Sequence, residues 1–335
     1  MSLSKSQIAH FNDYGYVVVR DVLDIEKDID PVIDEYTVLF KQLLKEWGVV
    51  EYDENSLSNL QFEECVLEAC KNQNFPRHLL TQLDITLPYT PLSVITKNSN
   101  MHLGKAVFSL LTSPRIINQI ESLLGSEILV SPDQHYRAKL PHYLLQRERK
   151  LYFSARKGES LYTTTIWHQD MHTQMPQADE TNIITVWVPT NDVSENDGCL
   201  LMVPGYHKNK KLLDFPIVGA LKEKLEVEGI PLPVKKGDIV IFHKRTPHAA
   251  LPNMSNKVRL SFDFRYYPAD QVSTRPWFPS FLVKSNKGKV LNNYADWAAG
   301  WLEARDKLAS IGYLIPGRRE FALLALNGLI EQWES

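Results

Sequence analysis

Residues 235–268, KKGDIVIFHKRTPHAALPNMSNKVRLSFDFRYYP, decide the fold. Lys236-Gly237-Asp238 is a turn signal, and the apolar run 239–242 behind it has the length and composition of a buried strand. Residues 259–267 form a second β-rich run. The same texture extends upstream through 128–130, 161–167, 182–189 and 199–203, punctuated by Asn196-Asp197-Gly198 and Pro204-Gly205. Short strands at such intervals, mostly without helices between them, predict an antiparallel sandwich or barrel rather than a doubly wound sheet. Neither a GxGxxG stretch nor a phosphate-binding loop argues the other way.

The flanks read differently. A short helical pattern over 5–11 leads into a strand-like 17–19, and 24–80 reads mostly as helix, with Val32, Ile33, Tyr36, Leu39, Phe40, Leu43 and Leu44 spaced by threes and fours. Another helix is expected over 115–125, closing at Gly125. Beyond Tyr267 an irregular proline- and aromatic-rich stretch precedes helices expected over 293–309 and 317–333. Trp297, Trp301 and Leu308 share a face of the first, and Leu323, Leu326, Ile330 and Trp333 a face of the second; both stripes read as core packing.

The chain has 335 residues, 44% hydrophobic and 23% charged, which excludes disordered and fibrous classes. A formal net charge of −3 gives no electrostatic ground for nucleic acid or an anionic membrane as partner. Cys65, Cys70 and Cys199 form no CxxC pair and read as buried thiols. No stretch has the apolar length of a secretory signal or a membrane span, and EQWES at the C-terminus is no peroxisomal address. The expectation is a cytoplasmic protein acting on a small molecule.

The chemistry is carried by Trp167-His168-Gln169-Asp170. On a strand, residues two apart point the same way, so His168 and Asp170 can reach one metal ion. A distant histidine completes a two-histidine, one-carboxylate face of the kind that holds iron(II) with open positions. His248 is the candidate, because Arg259 follows it by eleven residues on the next expected strand. A guanidinium grips a carboxylate through two parallel hydrogen bonds, which suits the far end of 2-oxoglutarate. Ser261 shares that strand face and offers a hydroxyl. His172 is an alternative ligand if the strand runs on, whereas His243 and His207 read as structural.

These segments resemble the phytanoyl-CoA dioxygenase family of iron(II)- and 2-oxoglutarate-dependent oxygenases. The likeness begins at QIAHFNDYGYVVVRDVL (7–23), passes through WHQD and WVPTNDVSENDGCLLMVPGYHK (187–208), and ends with 235–268. It implies a mainly β fold with flanking helices, a double-stranded β-helix (jelly-roll, cupin-like) core, in one 2-oxoglutarate oxygenase domain over 1–335. The helical N-terminal part would cover 1–127, the jelly roll 128–268, and the C-terminal loop and helices 269–335. The resemblance makes His168, Asp170 and His248 the iron ligands and Arg259 the cosubstrate's anchor. It also places Gln169, Lys139, Thr185 and Trp187 against the cosubstrate. The implied reaction consumes O2 and 2-oxoglutarate, with ascorbate as a supporting reductant. It hydroxylates, or otherwise oxidises, an unactivated C–H bond of a small organic substrate, and releases succinate and CO2. Asp170 fills the position where related halogenases carry a small residue, so chloride ligation is disfavoured. The segment 140–165 and the loop 276–279 are candidate specificity elements. The competing reading is a cupin-like protein that binds metal or ligand without oxidative turnover; such a site has no evident use for Arg259.

Overall fold

The computed structural model describes residues 2–49, 57, 59–72, 75–87, 94–145, 165–215 and 217–312. The expected helix 317–333 and most of the 140–165 segment lie outside the described residues.

Among the described residues, the named strands pair antiparallel and fall into two sheets. Seven strands form the larger: β1 (Tyr16–Val19), β2 (Ile128–Val130), β3 (His135–Lys139), β4 (Ile184–Pro189), β7 (Ile239–His243), β9 (Arg259–Pro268) and β10 (Phe281–Lys284). Their order is β1-β7-β4-β9-β2-β10, and β3 also pairs with β9. The smaller sheet is β6-β5-β8, from Ile230–Leu232, Leu200–Met202 and His248–Ala250. The antiparallel expectation therefore holds. Strands β3, β6, β8 and β10 carried no usable sequence pattern. The last three are only three or four residues long, and pairing with neighbours rather than propensity makes them strands.

The long strand β9 shows how this sheet is built. Leu260, Phe262, Phe264 and Tyr266 point to one face and join the main apolar core. That core continues through Ile184, Val186 and Val188 of β4 and Ile239 and Ile241 of β7 to the helices Asp30–Glu46 and Phe62–Lys71. The ring of Phe262 lies 5.5 Å from that of Tyr36 and 5.9 Å from that of Tyr136. The other face of β9 carries Arg259, Ser261, Asp263 and Arg265. Cross-strand partners add Lys139, Arg137 and His135 from β3, and Trp187 and Thr185 from β4. This polar face looks away from the helices.

A second apolar cluster draws Tyr16, Trp187, Val240 and Phe242 from the large sheet and Leu200, Met202, Leu232 and Ala250 from the small one. The two sheets thus face each other. Gly15 ends the first helix (Lys5–Tyr14) in the left-handed region, φ 83°, and a β-carbon there would fall 2.4 Å from His207 and 2.6 Å from Thr246.

The N-terminal helical stretch is broken into a π turn at Ile25–Ile29, the two helices already named and a 3-10 turn at Arg77–Leu83. Pro76 and the backbone of Asp84 bound that last turn. The helix Tyr294–Ser310 covers the expected 293–309, with Trp297, Trp301 and Leu308 buried. Phe278, from the loop expected to bear on specificity, has its ring centroid 5.4 Å from that of Trp301 in a tilted contact and belongs to the core. The three cysteines are free and buried. No helix among the described residues is long and apolar enough to cross a membrane.

Replacing Phe262 by alanine removes a ring held between helices and sheet, and should cost roughly 3–5 kcal/mol of stability. Urea denaturation of the two proteins measures it, and a cost below about 1 kcal/mol would contradict this packing.

Candidate metal centre

His168 and His248 face each other across an isolated antiparallel bridge. Their backbone N–H groups donate to each other's carbonyls at 3.0 and 2.9 Å, and their ring centroids are 4.1 Å apart. Nδ1 of His168 lies 2.9 Å from the carbonyl oxygen of Ile166, and Nδ1 of His248 lies 3.0 Å from that of Thr246. A carbonyl only accepts, so each Nδ1 carries the proton and each Nε2 presents its lone pair. These Nε2 atoms stand 3.7 and 3.5 Å from the same oxygen, Oδ1 of Asp170, beyond hydrogen-bond length. One ligand atom from each residue lies within 4.8 Å of the others, and this is the single such group among the described residues.

Asp170 is the last residue that strand alternation reaches: Gln169 is extended, φ −113° and ψ 138°, and sets His168 and Asp170 on one side before the chain turns into a 3-10 helix, Asp170–Thr173. Of the expected strand 161–167, residues 161–164 lie outside the described residues and Trp167 sits in a bend. Because the strand does not continue, His172 turns away. Its Nδ1 accepts from the backbone N–H of Gln169 at 3.0 Å and its Nε2 donates to the carbonyl of Leu213 at 2.9 Å, which leaves no nitrogen for a metal.

The second oxygen of Asp170 is held by protein. Thr185 Oγ1 donates to Oδ2 at 2.5 Å and Arg265 Nε at 3.0 Å. Arg265 also donates through Nη1 to the backbone carbonyl of Asp133 at 3.2 Å and lies 3.5 Å from Asp133 Oδ1. That same Oδ1 contacts Arg275 Nη2 at 2.9 Å and His135 Nε2 at 3.0 Å. His135 in turn places Nδ1 3.0 Å from Asp84.

A pocket is lined by the triad together with Arg137, Thr165, Trp187, Leu200, Phe242, Arg259 and Asp263. Arg259 is 2% exposed. Its Nη1 donates to Ser261 Oγ at 2.6 Å, its guanidinium carbon lies 5.4 Å from the ring centroid of Trp187, and its Nε has no hydrogen-bond partner. Burial lowers its pKa to about 10, so it remains a cation at neutral pH. A buried guanidinium with an unmet donor, facing a pocket, fits an anionic group.

Three other expected contacts, Gln169, Lys139 and Thr185, are not among these lining residues. Gln169 spends its amide on the backbone, donating to the carbonyl of Arg245 at 2.6 Å and accepting from the N–H of Leu213 at 2.8 Å. Lys139 Nζ donates to the carbonyl of Leu251 at 2.6 Å. Burial first, then the neighbouring Arg259, pulls its pKa well below the usual lysine value. The hydroxyl of Thr185 is engaged by Asp170. Sequence reasoning missed Arg137, Asp133, Asp263, Arg265 and Arg275. Asp263 and Arg265 had a visible signal, since every second residue of RLSFDFR is polar inside a strand that is otherwise apolar.

The phytanoyl-CoA dioxygenase (PhyH) family matches residues 11–261. This chain belongs to that family. The peroxisomal phytanoyl-CoA dioxygenase of Homo sapiens is 25% identical over 215 residues, which cover 60% of this chain and 59% of that protein. The phytanoyl-CoA dioxygenase domain-containing protein 1 of Bos taurus is 21% identical over 299 residues, 80% of this chain and 91% of its own. Among solved structures, the apo form of ThoJ, a non-heme monooxygenase, superposes with a TM-score of 0.51 at 14% identity, covering 90% of this chain and 98% of that one. That likeness is one of fold.

Burial, reinforced by the neighbouring His248, lowers the pKa of His168 to about 3; burial also lowers that of His248. Burial opposes ionisation of Asp170, but Arg265 and the two histidines outweigh it and hold the carboxyl well below the usual range. An unfolded histidine titrates near ~6.5. A histidine whose folded pKa is depressed contributes stability above that value and loses it as pH falls, because the unfolded chain takes up the proton. The melting temperature of the metal-free protein should therefore fall as pH drops from about 7.5 to about 5. A flat profile across that range in thermal denaturation would contradict the buried neutral histidines.

Proposed function

We propose that this protein is an iron(II)- and 2-oxoglutarate-dependent dioxygenase that oxidises an unactivated C–H bond of a small organic molecule, releasing succinate and CO2. One observation carries the reading. Two neutral imidazole nitrogens and one carboxylate oxygen converge beside a buried arginine that has an unmet donor. The donor set suits a borderline divalent ion that keeps open positions. The facing sheets are then the two halves of a double-stranded β-helix, and 1–335 is read as one catalytic unit.

In this reading Nε2 of His168, Oδ1 of Asp170 and Nε2 of His248 hold the iron. Iron(II) supplies a site where a 2-oxo acid and dioxygen bind side by side. Arg259 anchors the far carboxylate of 2-oxoglutarate, with Ser261 fixing one arm of the guanidinium and Trp187 forming its floor. Both side chains limit the directions in which Arg259 can point, so the acid is oriented before it reaches the metal ligands. Lys139 and Gln169 act at one remove, by tying together the backbone segments that shape the pocket. The side of the pocket near His168, Arg137 and Thr165, the half-buried members of its lining, is where the oxidisable molecule would enter. Ascorbate would keep the iron reduced between turnovers.

Purified protein with iron(II), ascorbate and 2-oxoglutarate in air should release succinate, stimulated by a substrate from an untargeted metabolite panel; Asp170→Ala should reduce that rate to background. Metal binding without succinate across the panel would favour the non-oxidative cupin reading. Arg259→Gln should raise the 2-oxoglutarate KM at least tenfold, since a charged hydrogen-bonded contact is worth about 1.5–3 kcal/mol; an unchanged KM would remove the anchoring role.

A further inference from the structure

Asp170 offers its two oxygens to very different surroundings. Oδ1 faces the histidines, whereas Oδ2 accepts from Thr185 at 2.5 Å and from Arg265 at 3.0 Å. Arg265 has a second acidic neighbour that competes for it. Asp133 Oδ1 lies 3.5 Å from its Nη1, close enough to attract but beyond hydrogen-bond length. The same oxygen is already occupied by Arg275 at 2.9 Å and His135 at 3.0 Å. Asp133, Arg265 and Arg275 are buried, so their charges act with little screening by water. Neither Asp133 nor Arg275 lines the pocket.

We propose that Thr185 and Arg265 form a clamp on Oδ2 that restricts Asp170 to one metal-binding oxygen, and that Arg275 sets the clamp by neutralising Asp133. Arg275, Asp133 and Arg265 are positioning residues, acting through one another on Asp170. With Arg275 in place, Asp133 Oδ1 has its cation, and Arg265, which donates to Asp133 only at the backbone carbonyl, keeps its Nε on Asp170. Without it, Asp133 draws Arg265 to itself and releases Oδ2, which is then able to swing onto the metal and take a position otherwise open to the 2-oxo acid. Arg275 lies outside the expected strands, in the loop that follows β9, so this loop is coupled to the metal ligand without touching it. The inference rests on the metal-site reading above.

The test uses cobalt(II) in the full-length protein, read by its visible ligand-field spectrum and by competition with a chelator, followed by titration with 2-oxoglutarate. Thr185→Val, a near-isosteric change that removes one clamp bond, and Arg275→Met should each alter the spectrum and weaken cobalt or 2-oxoglutarate binding about tenfold, the low end for residues that orient metal ligands. Arg275→Lys, which keeps a cation beside Asp133, should restore most of the wild-type spectrum. A folded Arg275→Met protein with a wild-type spectrum and affinities would overturn the remote arm. The same result for Thr185→Val would overturn the clamp, and this variant decides the clamp if Arg275→Met fails to fold. A wild-type protein whose cobalt binding is absent, or unaffected by His248→Ala, would instead overturn the metal-site reading itself.

Discussion

An ionised carboxylate between two sheets is the constraint on which this structure depends. Taking a charge such as that of Asp170 out of water is expensive unless it is paired and hydrogen-bonded. The molecule meets this with a guanidinium and a hydroxyl that both donate to Oδ2. Arg265 brings its own cost of burial, and the Asp133 side chain offsets it. Asp133 is itself held ionised, against its burial, by Arg265, Arg275 and His135. Acidic and basic groups thus alternate outward from the centre, and each is tolerable only because the next one is present.

That alternation is possible because β9 and its neighbours have two unlike faces. One face supplies phenylalanine, leucine and tyrosine to the core beneath the helices, and gives the sheet a rigid back. The other supplies Arg259, Ser261, Asp263 and Arg265, spaced by the pleat of the strand, to the gap between the sheets. Rigidity on one side positions chemistry on the other. Anchors placed on a strand of a packed sheet stay where they are needed more faithfully than anchors on a surface loop. The small sheet contributes what the large one lacks: β8 begins at His248, and the bridge to His168 brings the second imidazole beside it. The proposed division of labour follows, with iron held mainly from the small sheet's edge and the cosubstrate anchored on the large one.

Several features were legible before the structure. The turn and apolar run at 236–242 and the β-rich run at 259–267 marked strands that are present as β7 and β9, and alternating segments elsewhere marked β2, β4 and β5. The HxD pair, the distant His248 and Arg259 at its fixed interval pointed to a single place, and the structure puts all four on one pocket. Strand periodicity gave the local reason for His168 and Asp170 to converge, since Gln169 between them is extended. What it did not show is that the chain turns at Asp170, which takes His172 away from the other two.

What the amino-acid sequence determined by itself was the class of sheet, the identity of the three side chains that converge and the cation beside them, because residue chemistry and short-range spacing are written in it directly. Only the tertiary structure decided which oxygen of Asp170 faces the histidines, that Gln169, Lys139 and Thr185 spend their polar groups on neighbouring protein atoms, and that Asp133, Arg265 and Arg275 connect to Asp170. Those facts depend on pairings between residues as far apart as Asp133 and Arg275, and on which side chain reaches a shared acceptor first. Such competition is settled by packing in three dimensions, and no local pattern encodes it.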